Sequence, residues 1–208
     1  MDTEEILNKL KNHRPVLYNK DLIRKYSVFL PLVEKDGETH LLFEVRSMTL
    51  RSQPGDVCFP GGGMEEVDSD EKQAALRETR EELGVSEAAI YDVYPLDYMM
   101  MSPELMIYPF VGRLRSNIKL SPNKAEVEET FTIPLKYFLE TDPLKYNLSL
   151  EAVPEQDFPF HLIVGGEDYD FRHRTVDQYF YKYGDYVIWG LTANIILNFI
   201  SFIKKNEE

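Results

Sequence analysis

The chain has almost no cysteine, which excludes a scaffold held together by disulfide bonds. Cys58 is the single cysteine among 208 residues, so no disulfide can form within the chain. It stands in the short apolar run 57–59 and has no partner visible in the sequence that would activate a thiol. The pattern therefore predicts that Cys58 is a packed strand residue and not a catalytic nucleophile.

Basic residues are also scarce. The chain has 23 Lys and Arg residues against 36 Asp and Glu residues, which gives a formal net charge of −13. A general nucleic-acid binder needs a basic surface to neutralise phosphates. The composition therefore argues against a nucleic-acid partner, while a small anionic substrate held by metal ions and a few arginines stays compatible with it.

Long apolar runs and targeting signals are missing as well. The apolar stretch 191–203 is too short to span a bilayer and contains Asn194, Asn198 and Ser201. Residues 1–12 are charged and amphipathic, unlike a signal peptide, and the chain does not end in the peroxisomal signal Ser-Lys-Leu. We therefore expect a cytoplasmic protein with no membrane partner.

The composition is that of one globular domain, which we expect to span residues 1–208. Hydrophobic residues make up 43% of the chain and aromatic residues 12%, enough for a substantial core. Apolar alternation and turn residues predict strands at 27–35, 39–47, 90–101 and 105–114. Helical periodicity and capping residues predict helices at about 3–12, 71–83, 134–140 and about 186–204. The expected fold class is α/β.

The most informative stretch is a glycine-rich turn that runs into an acidic helix, at residues 59–85. Glu78, Glu81 and Glu82 are spaced i, i+3 and i+4, so they share one helix face. Like charges at this spacing destabilise an isolated helix unless something positive neutralises them. Hard divalent cations such as Mg²⁺ take oxygen ligands of this kind, with water and substrate phosphate completing the shell. The alternative is a solvated acidic face, because Glu is a good helix former.

The preceding turn favours the metal interpretation. Gly61, Gly62 and Gly63 let the backbone approach a ligand or place a carbonyl against a metal ion. The turn leads into the N-terminal region of the helix, where backbone N–H groups favour anions. Together, turn and helix suit a site where a general base near a metal ion activates water for attack on phosphorus.

Residues 62–85 resemble the Nudix box, G-x5-E-x7-R-E-U-x-E-E-x-G-U, where U is a bulky apolar residue. The second half matches residues 77–85, RETREELGV, with Thr79 at the first apolar position. The resemblance identifies the chain as a member of the Nudix hydrolase superfamily.

The first half of the box departs from the pattern. Counted from Gly62, the spacing to the box arginine is one residue too long. Counted from Gly63, the position of the first glutamate holds Ser69. Asp68 and Asp70 are both candidates for the missing carboxylate.

The segment before the box resembles a signature of Nudix enzymes that cleave coenzyme A, L-L-x3-R-S-x3-R-x3-G-x3-F-P-G-G, and that subfamily also carries a longer loop here. Every fixed position is present, at Leu41, Leu42, Arg46, Ser47, Arg51, Gly55, Phe59, Pro60, Gly61 and Gly62. A looser resemblance at 126–135 and 188–193 extends the match over most of residues 27–200. It implies an α/β/α sandwich with a mixed sheet. It also implies hydrolysis of coenzyme A or acyl-CoA to 3′,5′-ADP and (acyl-)4′-phosphopantetheine.

The resemblance assigns roles within the box. It implies that Glu78, Glu81 and Glu82 hold Mg²⁺ or Mn²⁺ together with the backbone carbonyl of Gly62, and that Glu81 and Glu82 are catalytic. Arg77 lies four residues before Glu81, where it can pair with that carboxylate and support the glutamates.

Further candidates lie outside the box. Glu126 and Glu129 occupy the acidic positions of an EVxExF pattern seen in the coenzyme A-cleaving relatives. They are candidates for a further metal ligand or the general base, against the alternative of an acidic start to a strand.

The predicted substrate-binding set follows the upstream signature. Arg46 and Arg51 are expected to contact phosphates, because a guanidinium group binds phosphate with two parallel hydrogen bonds. Ser47, together with Gly61 and Gly62, completes the set.

Two alternatives stay open at this stage. The substrate can be another nucleoside diphosphate derivative, such as ADP-ribose, or the chain can be a Nudix-fold module that senses a nucleotide without hydrolysing it. Retention of all three box glutamates favours an enzyme. The sequence leaves open whether free or acylated coenzyme A is preferred, and whether the chain is a homodimer.

Overall fold

The computed structural model describes residues 2–205. The helices are α1 (Thr3–Leu10), α2 (Glu71–Leu83), α3 (Leu135–Glu140) and α4 (Gly190–Lys205). The strands are β1 (Arg24–Lys35), β2 (Glu38–Arg46), β3 (Val57–Cys58), β4 (Gly61–Gly63), β5 (Ile90–Pro95), β6 (Met99–Ser102), β7 (Leu105–Leu114), β8 (Val127–Pro134), β9 (Leu144–Leu150), β10 (Arg174–Tyr183) and β11 (Tyr186–Trp189). No helix among these residues is both long and apolar enough to cross a bilayer.

A mixed sheet of eight strands forms the centre of the molecule. Its main path is β3-β2-β1-β7-β5, while β4 pairs with β1, β6 with β7 and β8 with β2. β1 and β7 are parallel, and the other pairs are antiparallel. The predicted glycine turn is itself the short strand β4, and Gly62 lies opposite Ser27 of β1.

The two faces of this sheet pack against different helices. On β1, Phe29 packs with Ala75 of α2, whereas the next residue, Leu30, belongs to the core cluster that contains Ile195 and Ile196 of α4. Successive strand residues point to opposite faces, so α2 covers one face and α4 the other. This arrangement confirms the predicted α/β/α sandwich with a mixed sheet.

A second, three-stranded antiparallel sheet, β9-β10-β11, lies on the α4 side. Tyr181 of β10 and Ile188 of β11 are almost completely buried in the core cluster shared with α4. The ring of Tyr181 packs edge-on against Phe138 of α3, with 5.1 Å between ring centroids. The sheet thus extends the apolar core beyond the central layer.

The C-terminal helix begins later than the sequence predicted. Residues 186–189 form strand β11, and α4 begins only at Gly190. The buried Ile188 between the more exposed Val187 and Trp189 has the two-residue period of a strand. Gly190 has a φ of 59°, which breaks the strand before the helix. The long apolar run concealed this boundary.

Trp189 therefore lies outside the last helix, although the predicted range of about 186–204 included it. It ends β11 with 42% of its surface exposed and stacks on Phe180, with 5.9 Å between ring centroids.

Candidate active site

Local sequence fixes both ends of α2, the helix that carries the three glutamates. The Asp70 carboxylate accepts a hydrogen bond from the Gln73 N–H at 2.9 Å, and Gly84 ends the helix with a φ of 65°. Thr79, the polar residue at an apolar box position, is fully buried. Its hydroxyl donates to the Ala75 carbonyl at 2.7 Å, so this departure leaves no unsatisfied group.

Strand β4 packs directly against the glutamates of α2. The Gly61 N–H donates to the Glu82 carboxylate at 2.8 Å. A Cβ atom at Gly62 would lie 2.3 Å from the carboxylate carbon of Glu78. Glycine at position 62 therefore makes the room in which the Glu78 carboxylate lies against the strand.

Arg77 binds the carboxylates of Asp68, Glu78 and Glu81. Its Nε and Nη2 atoms each donate to Asp68 at 3.0 Å, and Nη2 also donates to the Gly63 carbonyl at 3.0 Å. Its Nη1 atom donates to Glu78 at 2.9 Å and to Glu81 at 3.3 Å. Arg77 thus joins two of the three box glutamates to β4, an arrangement compatible with the supporting role predicted for it.

Glu44, which no sequence motif marks, faces the same side of the sheet as α2, because it lies two residues after Leu42, which packs with Leu83 of α2. It is 2% exposed, and one of its carboxylate oxygens has no hydrogen-bond partner among the described residues. The other oxygen accepts a weak hydrogen bond from the Cys58 thiol at 3.4 Å. Burial raises the pKa of Glu44 to about 7 and raises that of Cys58 well above its usual value. The one available signal was a single charge inside the apolar run LLFEV.

Glu82 is the second deeply buried carboxylate, with 7% of its surface exposed. Burial, reinforced by the charge of Glu44, raises the pKa of Glu82 to about 9, and the hydrogen bond from Gly61 opposes that shift. Burial also raises the pKa of Glu78. By contrast, the Glu81 side chain is 55% exposed. We call Glu44, Glu78 and Glu82 the buried carboxylate cluster.

Glu126 and Glu129, the two candidates for a further metal ligand or general base, lie in different surroundings. Glu126 adds to the negative field that raises the pKa values of all three members of the buried carboxylate cluster, so it lies towards them. Glu129 pairs with Val45, whose side chain packs with the core on the α4 side, and its carboxylate accepts a hydrogen bond from Tyr186 at 3.1 Å. The structure therefore brings Glu126, but not Glu129, to the cluster.

The predicted substrate-binding residues before β4 differ in accessibility. Arg46 lines a cavity of about 410 Å³ beside Gly61, and its Nη2 atom donates to the Ser52 carbonyl at 3.2 Å. Arg51 is exposed on the loop after β2. Ser47 is 1% exposed, and its N–H donates to the Glu126 carbonyl at 2.8 Å. Ser47 thus ties this loop to the Glu126 segment and is closed to solvent.

The donor set fits a hard divalent cation. Across residues 2–205, no three His, Cys, Asp or Glu side chains converge closely enough to hold a metal ion as they stand. Hydrogen bonds from Arg77 and Gly61 hold the box glutamates in their present rotamers. Yet the donors are carboxylate oxygens, the ligands that Mg²⁺ and Mn²⁺ prefer, and Glu44 leaves one buried oxygen unpaired. A bound cation would lower these pKa values, because it would offset the burial that mainly raises them and the mutual repulsion that adds to the rise.

Comparison with known proteins decides the family. The sequence profile of the NUDIX domain matches residues 23–150, more than half of the chain. This chain belongs to the Nudix family. Nudix hydrolases generally use divalent metal ions, in agreement with the carboxylate donors gathered around α2.

Curated Nudix relatives include two coenzyme A diphosphatases. Peroxisomal coenzyme A diphosphatase NUDT7 of Mus musculus is 39% identical over 137 residues, covering 66% of this chain and 57% of the relative. Mitochondrial coenzyme A diphosphatase NUDT8 of Homo sapiens is 34% identical over 173 residues, covering 81% and 65%. Mitochondrial Nudix hydrolase 15 of Arabidopsis thaliana is 33% identical over 177 residues, covering 84% and 56%. The chain thus spans less than two thirds of the length of these relatives.

A solved Nudix structure shows the same fold. The MutT/nudix family protein from Enterococcus faecalis aligns over 98% of this chain and 70% of its own, with a TM-score of 0.54 at 14% sequence identity. At that identity, the likeness confirms the predicted fold alone.

The structure gives different contacts to the two aspartates at the irregular half of the Nudix box. Asp68 receives the hydrogen bonds of Arg77, which lower its pKa, whereas Asp70 caps the N-terminus of α2. Asp68 is therefore the carboxylate that lies against the box arginine.

Proposed function

We propose that this Nudix chain is a metal-dependent diphosphatase that hydrolyses coenzyme A or acyl-CoA to 3′,5′-ADP and (acyl-)4′-phosphopantetheine. The observation that carries the proposal is the packing of β4, the end of the complete coenzyme A signature, against the buried carboxylate cluster. The relatives named as coenzyme A diphosphatases support the substrate. The signature extends from Leu41 to Gly62 in this chain.

In this proposal, Glu78, Glu81 and Glu82 hold the cation, with the Gly62 carbonyl as a further donor. When bound, Mg²⁺ or Mn²⁺ neutralises charge on the diphosphate and makes water acidic enough to react near neutral pH. Arg77 keeps Glu78 and Glu81 directed towards β4 through bonds of 2.9 and 3.3 Å. Catalysis then rests mainly on positioning and charge stabilisation, as in other phosphoryl transfers.

A carboxylate of the site takes the proton of the attacking water. Glu82 is one candidate, because Gly61 fixes its position at 2.8 Å and cation binding lowers its raised pKa. Glu126 is the other, because it lies towards the cluster. The water oxygen bonds to one phosphorus while the bridging P–O bond breaks, and the departing phosphate oxygen carries the electron pair away.

Product analysis tests this function. The purified chain is incubated with coenzyme A, acetyl-CoA and ADP-ribose, each with Mg²⁺, with Mn²⁺ or with EDTA, and the products are identified by mass. We expect 3′,5′-ADP and 4′-phosphopantetheine or its acetyl form, and no products in EDTA. Cleavage of ADP-ribose alone would transfer the proposal to another diphosphate, and tight binding without cleavage would point to a sensing module.

The cellular setting is a separate proposal. NUDT7 and NUDT8 are named as peroxisomal and mitochondrial proteins, whereas we propose that this chain is cytoplasmic, as predicted from its sequence. Imaging of the tagged chain in its own cells tests the compartment.

Sedimentation of the purified chain distinguishes a monomer from the homodimer left open by the sequence.

A further inference from the structure

The cavity of about 410 Å³ beside β4 lies on the α4 side of the sheet. Three of its lining residues, Val28, Ile107 and Ile195, belong to the core cluster on that side. Gly61 also lines the cavity, and its N–H holds the Glu82 carboxylate. One end of the cavity therefore meets the backbone that positions a proposed cation ligand. Its volume falls within the range of small-molecule sites.

The lining is largely apolar. Its aliphatic and phenyl side chains are Val28, Val57, Phe59, Ile107, Leu191 and Ile195. Two amphipathic rings, Tyr26 and Trp189, are 40% and 42% exposed, so they form its accessible rim. These walls favour a ligand segment with methyl and methylene groups, because burial of apolar surface drives such binding.

Charge in the cavity is balanced and sparse. Arg46 and Asp56 are the only charged side chains among the described residues that line it. Arg46 already donates to the Ser52 carbonyl at 3.2 Å and interacts with the nearby Glu44 carboxylate, whose pKa it lowers. A phosphate group is favoured by net positive charge, which this pair of opposite charges does not supply. The cavity is therefore unsuited to the 3′-phosphorylated adenosine half of coenzyme A.

We propose that this cavity binds the pantetheine arm, the uncharged half of coenzyme A, and that the adenosine 3′-phosphate half lies outside it. The inference rests on the proposed function. The arm has a gem-dimethyl group and methylenes for the apolar walls, and two amides for polar groups near the rim such as Gln53 and Ser52. With the arm in the cavity, its phosphorylated end lies at Gly61, beside Glu82.

Binding of the two reaction products to cavity variants tests this proposal without any turnover. Leu191→Trp adds bulk at a partly buried lining position of α4. Leu197→Trp is the matched control, because Leu197 is partly buried on the same helix but lines a different hollow, next to Phe138. Calorimetric titrations in Mg²⁺ use 4′-phosphopantetheine and 3′,5′-ADP as separate ligands, and circular dichroism checks that each variant is folded.

We expect Leu191→Trp to weaken 4′-phosphopantetheine binding by about tenfold or more, the effect of roughly 1.4 kcal/mol of overpacking. Binding of 3′,5′-ADP stays unchanged, and Leu197→Trp alters neither ligand. A selective loss of 3′,5′-ADP affinity, equal affinities in all proteins, or no 4′-phosphopantetheine binding to the native chain would overturn the proposal. Trp189→Ala, at the exposed rim, replaces Leu191→Trp if that variant does not fold, with the same selective loss expected.

The titrations and the hydrolysis assay can contradict the cavity assignment and the proposed function separately. A native chain that binds 4′-phosphopantetheine in the cavity but leaves coenzyme A intact contradicts the proposed function and keeps the cavity assignment. A chain that hydrolyses coenzyme A while Leu191→Trp binds both products normally keeps the function and removes the cavity assignment.

Discussion

Two buried glutamates determine the electrostatics of the site at the scale of single residues. Glu44 is 2% exposed and Glu82 is 7% exposed, and burial raises the pKa of both, with the charge of Glu44 adding to the rise at Glu82. A buried charge without a partner costs stability, and a cation between such carboxylates removes the cost. The site is thus built to gain stability from cation binding.

Glu44→Gln is expected to stabilise the metal-free chain. The substitution removes a buried charge, and its amide oxygen can still accept the hydrogen bond from Cys58. At pH 8.5, above the pKa of about 7 for Glu44, we expect the free energy of unfolding to rise by about 1–3 kcal/mol. Urea unfolding in EDTA measures this change in the free energy of unfolding. Glu87→Gln, on a side chain 75% exposed, is the control and changes little; a clear loss of stability in Glu44→Gln would contradict the account.

The same residues predict how the stability of the metal-free chain depends on pH. Folding raises the carboxyl pKa values from 4.5 to about 7 in Glu44 and about 9 in Glu82. The folded state therefore binds more protons than the unfolded state, and stability falls as pH rises from 4.5 through these values.

The melting temperature in EDTA should fall between pH 6 and pH 9 by several degrees, since roughly 2–4 °C corresponds to each kcal/mol in a chain of this size. Mg²⁺ should reduce the fall, and the double variant Glu44→Gln with Glu82→Gln should flatten it. A melting temperature that rises over this range would refute the assignment of buried protonated carboxylates.

At the scale of elements, the site is a contact between the glycine strand β4 and helix α2. Neighbouring glycines of this strand face different obstacles. A Cβ atom at Gly61 would lie 2.4 Å from the Ser27 carbonyl oxygen, which belongs to the backbone of β1. At Gly62 it would instead meet the end of the Glu78 side chain, which can rotate away. A substitution at Gly61 should therefore affect mainly the stability of the sheet, and a substitution at Gly62 mainly the position of the Glu78 carboxylate.

Alanine at each position tests this separation. Gly61→Ala should lower the free energy of unfolding by about 2–4 kcal/mol, because the sheet backbone must move. Gly62→Ala should cost less than about 1 kcal/mol but weaken Mn²⁺ binding, because Glu78 is displaced. Urea unfolding and paramagnetic titration with Mn²⁺ measure the two effects. Equal stability losses, or unchanged Mn²⁺ affinity in Gly62→Ala, would be inconsistent with the packing described.

Much of helix α2 could be predicted from sequence, because the residues that determine its ends and its acidic face are close together in the chain. The caps of α2, the spacing of its glutamates and the contact between Arg77 and Glu81 all depend on residues within one helix. The boundary between β11 and α4 could not be predicted from sequence, because an apolar run is compatible with a buried strand as well as with a helix. Glu126 and Glu129 were indistinguishable for a similar reason, because their faces depend on pairing with a strand about 80 residues earlier in the chain.

At the scale of the whole molecule, the two faces of the sheet carry different parts of the proposed substrate site. The α2 face of the sheet gathers carboxylates for a cation, while the α4 face holds the neutral cavity, and β4 touches both. The net charge of −13 disfavours anions away from the cation site, which helps to confine a diphosphate to it. Glu44 could not be predicted as a site residue from sequence, because its importance comes from this three-dimensional arrangement and not from a motif.

Hydrolysis of coenzyme A by the native chain and by Glu82→Gln, measured side by side in Mg²⁺, tests whether the buried carboxylate cluster is the catalytic centre. We expect 3′,5′-ADP and 4′-phosphopantetheine from the native chain. Loss of the carboxylate should lower kcat by about 10²- to 10⁴-fold, with the fold retained by circular dichroism. The exposed-site control Glu87→Gln should match the native rate. Equal rates for Glu82→Gln and the native chain would contradict the assignment of this carboxylate cluster as the catalytic centre.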